Sequence, residues 1–166
     1  MLKKYLQEIQ EIDIITYESG DPFVYKDDFS KLWLEHMNYL SIIERFPYKV
    51  KFDDNIFTES LSRFKSKHKY SKLFVAKEGL NMIGFLQAGI AHNNTYAFIS
   101  DFHIREGYRG RNIGETLMNN CLKWFCKHNI NECDIKVTGG NEKVLDFYRK
   151  YGFDVSSYTL KRIFYE

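Results

Sequence analysis

The sequence predicts one mixed α/β domain, and three observations carry that prediction. The chain has 166 residues and only two prolines, Pro22 and Pro47, with no Pro/Ser/Gly-rich linker, repeat or low-complexity tract to divide it. A chain of this length buries a sizeable core as one unit. Apolar residues alternate with period two in several short runs and recur at helical spacing in others. Finally, one alternating run passes into a long helical pattern and then into a further short strand pattern, a βαβ crossover that makes part of the sheet parallel.

The elements follow in order. Ile12–Tyr17 alternates as a strand, and the residues Ser19-Gly20-Asp21-Pro22 break it. Asp27 or Asp28 is placed to cap a helix from about Phe29 to Glu44, with Leu32, Trp33, His36, Leu40 and Ile43 at helical spacing. A loop through Pro47 leads to a second helix near Phe57–His68. The runs KLFVAKE and MIGFLQAGI, joined by the turn Gly79-Leu80-Asn81, predict a hairpin, and YAFISDFHI predicts a third strand after the turn His92–Thr95. Ile113, Leu117, Met118, Cys121, Leu122 and Phe125 form an apolar helical stripe. CDIKV is a short strand, Asn141 caps a helix containing Val144, Leu145, Phe147 and Tyr148, and Gly152 ends that helix as its left-handed C′ residue. FDVSSYTLKRIFY supplies one or two closing strands, whose exposed edges are able to pair two chains into a homodimer.

Composition excludes several classes of function. With 44% hydrophobic and 28% charged residues the chain falls among ordinary soluble globular proteins. No segment reaches the roughly 20 apolar residues of a membrane span, and glutamates interrupt the N-terminal residues before a secretory apolar region forms. Cys121, Cys126 and Cys133 match no metal-ligand spacing, and the histidines are scattered, so no metal is expected and a reducing, cytoplasmic setting is. The net charge of +2 divides into −5 over residues 1–60 and +7 over residues 61–166. The acidic part, including Glu35, Glu44, Asp53, Asp54 and Glu59, is suited to attract a cationic ligand, although each acid singly is ordinarily a solvated surface group. The basic residues form no continuous stripe, so nucleic acid is not an expected partner.

The stretch FHIREGYRGRNIG, Phe102 to Gly114, concentrates Arg105, Arg109 and Arg111 with Gly107, Gly110 and Gly114 between a strand and a long helix. The first N–H groups of a helix lack intrahelical partners and the helix dipole is positive there. Such a turn holds a diphosphate against backbone donors, with Arg109 and Arg111 as charged partners; otherwise the arginines are solvated loop residues. It is neither a Walker A loop nor a dinucleotide GxGxxG turn.

The triplet Phe102-His103-Ile104 and the loop Arg109-Gly110-Arg111-Asn112-Ile113-Gly114 resemble the acyl-CoA strand and loop of the Gcn5-related N-acetyltransferase (GNAT) superfamily. Asn112 stands where that family usually has glycine, and Asn is a residue that tolerates left-handed backbone. The run NEKVLDFYRKYGF is similar to a second family motif, with Asn141, Phe147, Tyr148, Gly152 and Phe153 in place and Val144 at a position usually small. The close similarity covers about residues 73–164, while residues 1–60 fit in outline as the acceptor-side strand and helices of a single domain spanning 1–166.

The resemblance implies a GNAT-like acyl-CoA N-acyltransferase fold, with a mixed, mostly antiparallel sheet flanked by about four helices. It implies acetyl-CoA as acyl donor, with Phe102, His103, Ile104, Arg109, Gly110, Arg111, Asn112, Ile113, Gly114, Asn141 and Tyr148 around it. The acceptor it implies is a primary amine of a small molecule, polyamine- or aminoglycoside-like, or of a peptide. Tyr148 matches the family's tyrosine beside the CoA sulfur and is the implied general acid; by residue type alone it is a packing residue beside Phe147. Asp101 and then His103 are the candidates for the base, because strand alternation puts both on one face about 7 Å apart. The competing view of them is a salt-bridged Asp and a packed His. None of the cysteines is placed to carry an acyl group, so direct attack in a ternary complex is expected. The rival function, favoured by Asn112, is a catalytically weak acyl-CoA-sensing or protein-interaction module.

Overall fold

The computed structural model describes residues 12–18, 26–44 and 51–164. The breaks around Pro22 and Pro47 expected from the sequence lie outside these residues. Five strands form one sheet in the order of the chain: β1 (Ile12–Glu18), β2 (Tyr70–Glu78), β3 (Asn81–Ile90), β4 (Tyr96–Ile104) and β5 (Glu132–Ile135). The first four pair antiparallel and β4 pairs parallel with β5, as the crossover requires. Helices α1 (Lys26–Ile43), α2 (Asp54–Lys67), α3 (Ile113–Lys127) and α4 (Leu145–Arg149) flank it, so the mixed α/β prediction holds.

Three of the helix starts differ from those read in the sequence: α4 begins only at Leu145, after a 3₁₀ turn over Glu142–Val144, and Asn141 makes no side-chain capping bond to either. α1 begins three residues earlier than expected, which places Asp27 and Asp28 inside its first turn rather than at its cap; there they face the positive end of the helix dipole. α2 begins at Asp54 because Asp53 caps it, its carboxylate accepting from the N–H groups of Asn55 and Ile56 at 3.0 Å each.

The sheet separates two apolar clusters. On one face Phe29, Leu32, Trp33 and Phe57 of α1 and α2 pack on Leu73, Val75, Met82 and Phe85. On the other, Ile113, Leu117, Met118, Cys121 and Phe125 of α3 pack on Phe74, Ala76, Ile83, Leu86 and Ile99, with Tyr148 of α4 in the same cluster. The alternating side chains of β2 and β3 thus serve both layers, which is why those strands are apolar almost throughout.

Two irregularities of β4 shape the end of the sheet nearest α3. β4 pairs with β3 from Ala97 to Ile104, but the register shifts between Gln87 and Ala88, leaving Ser100 as the extra residue of a β-bulge. β4 and β5 pair only over Tyr96–Ile99 and Glu132–Ile135. Past Ile99 the second edge of β4 has no strand beside it among the described residues, so the sheet opens there.

The closing strands expected from FDVSSYTLKRIFY do not form: residues 153–164 carry no regular structure. Alternation alone makes no strand without a neighbour to pair with, and Tyr158, Leu160 and Phe164 stay 85%, 94% and 77% exposed. Gly152, as expected, ends α4 at φ +82°.

Candidate functional site

Where β4 and β5 part, an open cleft of about 460 Å³ lies between α1, the end of β4, the start of α3 and the segment from Asn141 to Tyr148. Its size suits a drug- or cofactor-sized ligand. Of the residues singled out in the sequence, Phe102, His103, Ile104, Arg109, Gly110, Asn112, Ile113, Gly114, Asn141 and Tyr148 line it. Two do not. They are Asp101, which stands beside His36, and Arg111, which pairs with Glu78.

The loop before α3 is shaped by its backbone. Gly110 has φ +77° and Asn112 φ +60°, ψ +9°, so both occupy left-handed conformations, and Asn112 does so as the N-cap of α3. Asn is among the few side-chain-bearing residues that adopt this conformation readily, which explains its presence where the family pattern has glycine. No acceptor meets the N–H groups of Gly110, Arg111 or Asn112 among the described residues, and the first turn of α3 adds its own unpaired donors. Gly114 is needed for closeness: a Cβ there would lie 3.4 Å from Phe102 Cζ and 3.7 Å from the Phe147 ring.

The two loop arginines have different fates. Arg109 donates from Nε to the Ile104 carbonyl at 3.0 Å, and its guanidinium stands 5.1 Å from the Tyr39 ring centre inside the cleft. Arg111 is held by Glu78 at the end of β2 at 3.0 Å, and the same carboxylate accepts from the Tyr108 hydroxyl at 3.0 Å. Glu78 was not singled out in the sequence, since nothing local signals that it grips a loop thirty residues on.

The face bearing α3 and α4 contributes Tyr148. It is 9% exposed, its ring packed edge-on against Phe147 and Phe153 and tilted against Phe102. Its hydroxyl has no hydrogen-bond partner among the described residues, and burial pushes its pKa up to about 12. It therefore stays protonated near neutral pH, as a donor with nothing to donate to.

α1 supplies the opposite wall through His36 and Tyr39. Tyr39 donates to Asn141 Oδ1 at 3.5 Å, and Lys143 stands 5.7 Å from its ring centre. His103 Nε2 lies 3.3 Å from Glu35 Oε1, while Arg105 donates to Glu35 Oε2 at 2.9 Å. Burial first, and the neighbouring His36 second, push the His103 pKa down to about 4, so His103 is neutral at pH 7. Asp101 Oδ1 stands 3.6 Å from His36 Nε2. Asp101 and His103 thus share the α1-facing side of β4, as alternation predicted.

The acids proposed to attract a cation do not gather here. Asp53 caps α2, Asp54 accepts from Ser30, and none of Glu35, Glu44, Asp53, Asp54 and Glu59 lines the cleft. His36 and Tyr39 were missed as wall residues because only the tertiary packing of α1 on β4 brings them there. The cysteines are free thiols, and burial pushes the Cys121 pKa far above its ordinary value and that of Cys133 up to about 12. Neither is activated as a nucleophile. Among the described residues no cluster of potential metal ligands occurs, and no helix is long and apolar enough to cross a membrane.

Comparison with known proteins agrees with this geometry. The family model for the Acetyltransferase (GNAT) family matches residues 24–153. No curated protein sequence matches the chain. Among solved structures, a Pyrococcus furiosus protein assigned as an acetyl transferase superposes with a TM-score of 0.70 at 19% identity, over 92% of this chain and 100% of that one. AAC(6')-Iy, in complex with a bisubstrate analogue built on CoA and acetylneamine, gives 0.65 at 16% identity over 94% and 97%. A ribosomal-protein-alanine N-acetyltransferase from Brucella melitensis biovar Abortus gives 0.63 at 12% identity over 93% and 100%. At these identities the likeness is one of fold.

Proposed function

This chain belongs to the acetyltransferase (GNAT) family, and we propose that it transfers the acetyl group of acetyl-CoA directly to a primary amine of a small molecule or peptide. The observation that carries the proposal is Tyr148: a hydroxyl without a partner on a largely buried ring, held protonated, in the same cleft as the unpaired N–H groups before α3. The loop donors and Arg109 hold the diphosphate. The opened edge of β4 gives the acyl arm a row of backbone groups beside Phe102, His103 and Ile104. A thiolate developing at the sulfur then meets the Tyr148 hydroxyl. With a pKa well above that of a thiol, Tyr148 serves chiefly as a hydrogen-bond donor to that charge rather than releasing its proton outright.

A primary amine near its ordinary pKa of about 10.4 is mostly ammonium at pH 7 and must lose a proton before it attacks. That proton leaves toward the side of β4 that carries Asp101 and His103. No activated cysteine lines the cleft, which supports direct attack over an acyl-enzyme. AAC(6')-Iy and the Brucella enzyme are examples of aminoglycoside and protein amine acceptors on this fold; polyamines are included in our proposal for this chain. Exposed Tyr158, Leu160 and Phe164 are assigned as the surface through which two copies associate, and free thiols fit a cytoplasmic setting.

The test is calorimetry with acetyl-CoA, 3′-dephospho-CoA and AMP, followed by thiol release with polyamines, aminoglycosides and N-terminal peptides. Binding with release supports the proposal. Binding without release from any acceptor leaves an acyl-CoA-sensing module, and no binding refutes the cofactor assignment.

A further inference from the structure

The turn that carries the unpaired N–H groups has few backbone ties of its own. Arg105, Tyr108 and Arg109 donate their N–H groups to the carbonyls of Ile83, Arg105 and Glu106, but those of Gly110, Arg111 and Asn112 meet no acceptor among the described residues. Gly110 and Asn112 also hold left-handed backbone. A glycine enters and leaves that conformation at little cost, so such a stretch keeps one shape only where side chains tie it down.

One carboxylate ties it on both sides. Glu78 Oε2 accepts from the Tyr108 hydroxyl and Glu78 Oε1 from Arg111 Nη2, each at 3.0 Å. The Arg111 guanidinium also lies 5.1 Å from the Tyr108 ring centre. These two bonds bracket Arg109 and Gly110. Hydrogen bonds to a carboxylate are stronger than neutral ones, and this one is sheltered, the Glu78 side chain being 17% exposed.

Strand parity explains why Glu78 stands there. Period two sets Phe74, Ala76 and Glu78 on one face of β2, and the first two belong to the cluster under α3. Glu78 is the last residue of the strand, so the apolar face ends in an acid where the loop arrives. The same hairpin end holds the start of the loop. The register of β2 and β3 shifts after Ala76, leaving Ile83 as an extra residue, and its carbonyl accepts from the Arg105 N–H at 2.9 Å.

We propose that Glu78 is the positioning residue of the diphosphate site: by holding Tyr108 and Arg111 it fixes the backbone from Arg109 to Asn112 before acetyl-CoA arrives. The inference rests on the acetyl-CoA function proposed for the cleft. A loop ordered in advance loses less freedom on binding. If Glu78 merely occupied Arg111, removing the carboxylate would free a second guanidinium for the diphosphate and tighten binding. If it orders the loop, removal weakens binding.

Calorimetry with acetyl-CoA decides the sign. We expect Glu78→Ala to weaken binding by about tenfold, the effect of leaving two side chains unordered. Tyr108→Phe, which deletes one bond and keeps the ring, should weaken it less and add nothing to Glu78→Ala in the double variant. Unchanged or tighter binding in Glu78→Ala, or additive losses, overturns the proposal. In thiol release, the KM for acetyl-CoA should rise by the factor lost in affinity, with kcat at saturation retained. A kcat that falls as far as the affinity overturns a positioning role. Nitrogen-15 relaxation of the Gly110 and Asn112 amides needs no ligand; we expect rigid amides in the wild type and mobile ones in Glu78→Ala, and equal order in both overturns the proposal. Wild-type protein that binds no acetyl-CoA refutes the cofactor assignment instead, and the relaxation measurement still decides whether Glu78 orders the loop.

Discussion

Replacing Tyr148 by Phe separates the energetic consequences of a buried phenol from its chemical ones. The hydroxyl has no protein partner among the described residues, and the ring packs among Phe102, Phe147 and Phe153, so the variant keeps the apolar contacts and forfeits no hydrogen bond. At pH 8 its stability therefore equals that of the wild type. At high pH the two diverge, because burial raises the pKa from 10.0 in the unfolded chain to about 12 in the folded one. A group whose pKa is raised by folding contributes stability that is fully present below the unfolded value and is lost as pH rises through the folded value. For this pair of values the loss at pH 11 is about 1.4 kcal/mol, approaching about 2.7 kcal/mol above pH 12. Other tyrosines share the alkaline trend, including Tyr96, also raised to about 12 by burial and by its bond to Asp134, but their contributions cancel in the difference between variant and wild type. The assay is urea unfolding of both proteins at pH 8 and pH 11. Turnover, measured alongside, should fall by about 10²–10³-fold with acetyl-CoA affinity unchanged, the cost of losing one donor to a developing charge. Equal stability losses at pH 11 would show that the phenol is not desolvated, and undiminished turnover would show that it does not face the sulfur.

The remaining expectations concern the loop and the α1 wall. Arg109→Ala should weaken acetyl-CoA binding by about tenfold or more, since a hydrogen bond to a charged group is worth roughly 1.5–3 kcal/mol; Arg111→Ala should weaken it less, because Glu78 holds that side chain away from the cleft. Calorimetry that ranks the two in the opposite order would show that Arg111 swings in. Gly114→Leu should abolish acetyl-CoA binding while far-ultraviolet circular dichroism stays native, as the side chain meets Phe102 and Phe147 at the mouth of the cleft; retained affinity would place the cofactor elsewhere. Because folding lowers the His103 pKa, stability is full above about pH 6.5 and falls as pH drops toward the folded value of about 4. His103→Asn should flatten that fall in chemical unfolding experiments, and an identical pH dependence would refute the burial argument.

What the sequence disclosed divides along a physical line. Features that depend on neighbours close in the chain were legible: the hairpin, the βαβ crossover, the apolar stripe of α3, the left-handed Gly152 and an Asn that accepts left-handed backbone at position 112. Features that depend on what lies across the sheet were not. Nothing near His36 announces that Asp101 will stand beside its Nε2, and nothing near Arg111 announces Glu78. Treated singly, those side chains were scattered histidines and a loop arginine offered to a diphosphate. The one or two closing strands show the converse failure. Tyr158, Leu160 and Phe164 fall at alternating positions, but a strand is a relation between two segments, and among the described residues no second segment pairs with this one. The helix starts erred by a turn or less, because Asp27 and Asp28 are as welcome inside the first turn as before it.

The parting of β4 and β5 after Ile99 has a consequence for how the two halves of the molecule communicate. A fully paired sheet is a partition: it would keep His36 and Tyr39, which belong to the α1 layer, from any molecule lying against Phe147 and Tyr148 in the layer of α3 and α4. Four pairs of residues hold the partition shut at one end, and beyond them it stands ajar. In the proposed reaction, donor and acceptor would approach from opposite layers and meet at a single doorway. Each layer is then free to change its own lining, and so its own clientele, without rebuilding the other.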